Sequence, residues 1–144
     1  DNPLWMLELK SYLMIARFKV GMNVDPDLQS IGETLPGLYK KYRKNRLPDP
    51  GVLSLAYYYS AYIRIKQKQW GPALLDLERA REIDGTIDNS FGLAKDLMAM
   101  GQCYRELDSK PDAAQCYMRA SEVYRLIGEI KMAEAALIKA EALK

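Results

Sequence analysis

The sequence predicts an all-α fold built from antiparallel helix hairpins stacked side by side. Three observations lead there. Apolar residues recur at helical spacing along nearly the whole chain, and no stretch alternates with the period of two that a half-buried strand needs. Gly, Pro, Asn and Asp fall at regular intervals between the periodic runs, where turns are expected. The sequence also matches itself when shifted by 40 residues.

Asn2-Pro3 opens the first helix, with Asn as cap and Pro in the first turn. The run Leu4 to Val20 is apolar over most of its circumference and calls for burial on more than one side. Gly21 to Asp25 ends it. Asp25-Pro26 starts a second helix whose face is Leu28, Ile31 and Leu35; Pro36-Gly37 is expected to interrupt it, with a short helix following from Leu38 to Asn45. Leu47 to Gly51 is the clearest break in the chain. It separates N-terminal packing or capping helices, residues 1–49, from the helical repeats, residues 50–144.

Asp49-Pro50 restarts helix, which runs to about Gln67 with Leu53, Tyr57, Ala61 and Ile65 on one face. Trp70-Gly71-Pro72 is expected to turn the chain into a helix from Ala73 to Ile83, stopped by Asp84-Gly85. Asn89-Ser90 caps the next hairpin, which is broken by Asp108 to Pro111 and ended by Gly128. Within it, Leu97, Met100, Gly101 and Tyr104 share one face, and Ala113, Tyr117, Ala120 and Val123 another. Gly101 and Ala120 are small where the two helices need to come close. A last helix, rich in Ala, Glu, Lys and Leu, covers Lys131 to Leu143.

The 40-residue shift sets Ala73 on Ala113, Leu77 on Tyr117 and Ala80 on Ala120, and in the first arms Tyr57 on Leu97 and Ala61 on Gly101. Ala133 and Ala140 repeat the spacing once more, with Leu137 and Leu143 in matching places. The first 48 residues stay outside the repeat, because Glu33, Gly37 and Lys40 fall where Ala73, Leu77 and Ala80 would require them.

Composition narrows the function. With 144 residues, 49% of them hydrophobic, the chain is one domain with a substantial core. Its 21 Lys and Arg against 19 Asp and Glu create no overall field that demands nucleic acid or an anionic surface. It has no histidine, which removes His-based catalysis and His metal sites. Cys103 and Cys116 are too few for a disulfide framework or a zinc site and read as buried free thiols. No run of about 18 apolar residues suggests a membrane span. No Gly-rich loop follows a strand, and acidic pairs such as Asp76/Glu78 sit in ordinary helix-surface patterns. No enzyme, metal site or cofactor is therefore expected. The start at Asp1 rather than Met is expected for a processed or excised segment, and localisation stays open.

The residues Leu97, Met100-Gly101, Tyr104, Ala113, Tyr117 and Ala120 resemble the tetratricopeptide repeat pattern of Leu-Gly and Tyr in a first helix, then Ala, an aromatic and Ala in a second. Tyr57, Ala61, Trp70, Ala73, Leu77, Ala80 and Ile83 repeat the match, with Ser60, Arg64 and Gly85 departing from it. The period of 40 exceeds the family's usual 34 or so, which suits a long-helix variant and overlaps the HEAT and armadillo range. The resemblance implies a right-handed solenoid of hairpins, completed by the N-terminal helices at one end and by further repeats after Lys144, with self-association through an exposed end as an option.

It also implies a concave groove lined by Tyr58, Tyr62, Ile65 and Lys66 from one first helix, and by Lys95, Met98, Gln102 and Arg105 from the next. Such a surface suits a peptide or partner protein with apolar and acidic side chains. The competing reading makes the tyrosines at 57, 58, 59 and 62 packing residues between hairpins. Chaperone-binding members of the family carry a Lys-x3-Asn pair where Tyr58 and Tyr62 stand, so a carboxylate clamp of that kind is not expected here. Two alternatives remain. One is a regulatory or sensor repeat domain. The other is an adaptor binding nucleic acid or an anionic membrane through Lys40, Lys41, Arg43, Lys44 and Arg46, with Tyr39 and Tyr42 as stacking candidates. A solvated helix end accounts for those five cations as well, and nucleic acid is disfavoured as a partner.

Overall fold

The computed structural model describes residues 4–144. Seven α-helices make up the described residues: α1 (Leu4–Lys19), α2 (Asp25–Arg43), α3 (Pro50–Lys66), α4 (Trp70–Thr86), α5 (Ser90–Glu106), α6 (Lys110–Leu126) and α7 (Ile130–Glu141). The expected start of the first helix at Asn2-Pro3 lies outside the described residues. From α3 onward each helix packs on the one before it and the one after it, while α1 and α2 pack on α3 and on each other. No helix among the described residues is long and apolar enough to cross a membrane.

The helices from α3 begin at residues 50, 70, 90, 110 and 130, one every 20 residues. The turns show why the interval is constant. Lys68, Asp88, Asp108 and Gly128 have φ of +61°, +57°, +65° and +82°. In each case the next residue's N–H reaches back to a carbonyl of the last helical turn: Gln69 to Arg64 (2.8 Å), Asn89 to Asp84 (2.9 Å), Ser109 to Tyr104 (2.8 Å) and Glu129 to Tyr124 (2.8 Å). This closure reverses the chain within three residues and satisfies carbonyls that a helix end leaves free.

Three expected boundaries are corrected. Pro36-Gly37 does not interrupt the second helix, which runs unbroken from Asp25 to Arg43 in place of two segments. Pro36 and Gly37 are exposed, so the missing hydrogen bond falls on the solvent side while Leu28, Ile31 and Leu35 pin the opposite face in the core. Trp70-Gly71-Pro72 is the first turn of α4 rather than a loop, since the first N–H groups of a helix have no intrahelical acceptor to lose. Nor does Asp84-Gly85 stop α4. Asp84 is buried and held by Ser54 and Asn89, and the left-handed position moves on to Asp88.

The core follows the repeated faces. Leu53, Tyr57, Ala61 and Ile65 are all buried, as are Ala73, Leu77 and Ala80, and their counterparts Ala113, Tyr117 and Ala120. The largest cluster joins Leu7, Met14, Leu28, Ile31 and Leu35 to Val52, Leu53, Ala56, Tyr57 and Ile83, so α1 and α2 cover the flank of the α3–α4 pair. Across α6–α7, Ser121 Oγ donates to the Ala133 carbonyl at 2.8 Å, which satisfies a hydroxyl in an otherwise apolar contact. Cys103 and Cys116 are buried free thiols in one cluster with Ala61, Leu77 and Met100.

Candidate binding site

The three consecutive tyrosines of α3, Tyr57 to Tyr59, point three ways, as successive helical positions must. Tyr57 is buried and meets Tyr39 edge-on with centroids 6.5 Å apart. Tyr59 meets Tyr12 of α1 at 5.8 Å. Tyr58 turns to the face where α3, α5 and α7 lie open, with Lys95 Nζ 4.7 Å from its ring centroid.

That face is a trough of about 620 Å³. All eight residues that the sequence points to line it: Tyr58, Tyr62, Ile65 and Lys66 from α3, with Lys95, Met98, Gln102 and Arg105 from α5. Several also serve the packing. Ile65 is buried, and Tyr62 sits edge-on to Phe18 at 6.4 Å. Tyr57 and Tyr59 are packing residues away from the trough, whereas Tyr58 and Tyr62 line it and also touch neighbouring rings.

Seven more lining residues lie outside the sequence-based set. Phe91 and Ala99 come from α5, Met132, Ala135 and Lys139 from α7, and the rings of Tyr117 and Tyr124 reach the floor from α6. A signal for two existed: 40 residues beyond Lys95 and Ala99 stand Ala135 and Lys139. Matching the last helix to Ala113 and Ala120 hid that register.

The trough carries four cations, Lys66, Lys95, Arg105 and Lys139, and no Asp or Glu among its lining residues. Three of these ammonium groups are placed over rings: Lys66 over Tyr62 at 5.4 Å, Lys95 over Tyr58 at 4.7 Å and Lys139 over Tyr117 at 6.0 Å. Arg105 reaches only its neighbour Glu106, at 3.3 Å. Burial pushes the Tyr58 phenol up to about 12, so it stays neutral and able to donate.

The basic run lies elsewhere. Lys40, Lys41, Arg43, Lys44 and Arg46 are all exposed at the end of α2. Arg43 pairs with Glu82 at 3.4 Å, and the Tyr39 hydroxyl donates to the same carboxylate at 2.8 Å. Arg79 stacks 3.7 Å from the Tyr39 ring centroid, so that ring is occupied rather than offered to a base. Among the described residues, no group of three or more His, Cys, Asp or Glu is gathered in a way that could hold a metal ion.

Comparison with family models, curated proteins and solved structures finds no match to this chain.

Proposed function

We propose that the chain is a protein-interaction scaffold of tetratricopeptide type, a right-handed stack of long-helix hairpins that holds an apolar and acidic segment of another protein in its trough. The reading assigns it no catalytic step. Support comes first from the lining. Four cations and a floor of tyrosine, phenylalanine and methionine occur together with no carboxylate, in a chain whose overall charge is only +2. A segment that carries Asp or Glu between aromatic or aliphatic side chains complements both features. Tyrosine and arginine are efficient anchors, and Met98 and Met132 adapt their shape. The 40-residue register and the packing of each helix on the next support the stacked-hairpin assignment.

Selection from a random peptide display library tests the reading. Enriched peptides are expected to combine Asp or Glu with apolar residues, and to bind less tightly as salt rises or when Lys66 and Lys139 are both changed to Glu. Enrichment of basic peptides, or of none, would overturn it.

A further inference from the structure

Beside the trough a second recess of about 240 Å³ opens between α3, α4 and α5; its walls include Ser54, Leu55, Tyr58, Asp84, Phe91 and Asp96. Tyr58, Phe91 and Lys95 line both spaces, so the recess continues the trough.

Two carboxyl groups face each other across a short distance there, and both are buried, Asp84 at 3% exposure and Asp96 at 1%. Asp84 is accounted for, because its Oδ1 accepts from Ser54 Oγ at 2.7 Å and from Asn89 Nδ2 at 3.1 Å. Asp96 is not. Its Oδ2 is buried and no N–H or hydroxyl donates to it, so a proton shared with Asp84 is all that satisfies it. The repeat register supplies an independent observation: 40 residues to either side of Asp96 stand Ala56 and Ala136, both fully buried. At this position the scaffold elsewhere needs only a methyl group, so packing does not explain a carboxylate whose burial is costly.

Burial, together with the carboxyl of Asp84, pushes Asp96 up to about 10, so the pair keeps a proton at neutral pH. The other charged or titratable groups nearby do not neutralise it directly. Lys95 lies over the Tyr58 and Phe91 rings, Arg81 faces the separate crevice with Asp112 and Cys116, and the raised phenols of Tyr58 and Tyr124 are neutral. Among the described residues, no Lys or Arg nitrogen comes within ion-pair distance of either carboxyl.

A divalent metal would find two carboxylates and little more, since Asn89 Oδ1 already accepts from the Gly92 N–H. The Tyr58 and Phe91 rings already carry Lys95, so the apolar wall at Leu55 and the two carboxyls are what suit a small cation on an apolar stem. We propose that the recess binds a primary ammonium group on an unbranched alkyl stem, a single lysine side chain within the otherwise acidic and apolar segment in the trough, seated between Asp84 and Asp96 in place of their shared proton. The lysine as source rests on the trough reading, whereas the recess itself does not. Binding releases one proton from the pair to solvent, and the ammonium keeps its own three.

The test uses the full chain and n-butylammonium, with no peptide present, so that its outcome is independent of the trough. Amide chemical shifts around Ser54, Asn89 and Gly92 are expected to move saturably. Affinity should rise up to tenfold per pH unit from about pH 7 to 9, and calorimetry in buffers of different ionisation enthalpy should show about one proton released. Asp96→Ala, the residue the scaffold carries at the two equivalent positions, should fold and lose the saturable shifts, as should Asp96→Asn. Equal shifts with n-butanol or sodium chloride, shifts that persist in Asp96→Ala, or none at all would overturn the proposal.

Discussion

A Cβ added to Gly101 would stand 2.6 Å from Cε1 of Tyr117. The Tyr117 ring therefore lies directly on the backbone of α5, and the crossing of α5 with α6 is set by the absence of a side chain. The equivalent pair in the preceding hairpin is Ala61 with Leu77, which share one cluster. The ring is larger where the facing residue is smaller.

Gly101→Ala should destabilise the fold. Overpacking costs about 1–3 kcal/mol and better helix propensity returns up to about 1 kcal/mol, leaving a net loss on the order of 1–2 kcal/mol. Adding Tyr117→Leu recreates the Ala61–Leu77 pair, so the double variant should be more stable than the summed single losses imply. Denaturant melts of the four proteins measure this, and strict additivity would refute the compensation.

Asp96 gives stability a pH slope. Its carboxyl is raised in the folded chain, to about 10, so between about pH 4 and that value the folded state holds a proton the unfolded state has lost. This contribution is present below about pH 4 and declines as pH rises through the window, by at most about 1.4 kcal/mol per unit. Asp96→Asn should flatten the slope and raise stability near pH 8, on the order of 1–3 kcal/mol. Melts across pH 5 to 9 that superimpose for both proteins would contradict it.

The left-handed turn positions make an opposite pair of cases. Lys68 holds φ of +61° with a full side chain, while Gly128 holds +82° without one. Lys68→Gly should stabilise the chain by about 0.5–1 kcal/mol, and Gly128→Ala should cost about 1 kcal/mol. Thermal or urea melts check both signs.

Cys103 is fully buried, and burial pushes its thiol up to about 11. It should resist a thiol reagent under native conditions and react at the rate of global or local opening. Prompt labelling without denaturant would show that the α5–α6 contact is looser than the packed cluster requires.

Much of the fold was legible because the repeat writes it twice. The faces around Tyr57, Ala61, Leu77, Gly101 and Tyr117 are fixed by helical spacing, and all of these residues are buried as the pattern demands. Boundaries were less legible. A proline or glycine marks a helix end only when its neighbours let the chain leave, and the core contacts of Leu28, Ile31 and Leu35 hold α2 together through Pro36. The turn at Asp88 is also hidden, since Asp tolerates the left-handed region without announcing it as Gly does.

Of the trough, the eight side chains from α3 and α5 follow from positions that the family resemblance implies, whereas Tyr117 and Tyr124 do not. They belong to the packed face of α6, and only the reach of their rings brings them to the floor. The Asp84–Asp96 pair was illegible for a different reason. It joins the end of one helix to the middle of the next, and neither residue belongs to a spaced motif.

The trough as binding surface is tested most directly by capture of a partner with Tyr62→Ala combined with Arg105→Glu. Neither side chain is buried, and Arg105 pairs only with Glu106, so helical content by circular dichroism should be unchanged. The double variant is expected to lose the proteins that the unaltered chain retains from lysate, as identified by mass spectrometry. Retention of the same proteins in the same amounts, by a variant that is still folded, would contradict the trough as the site.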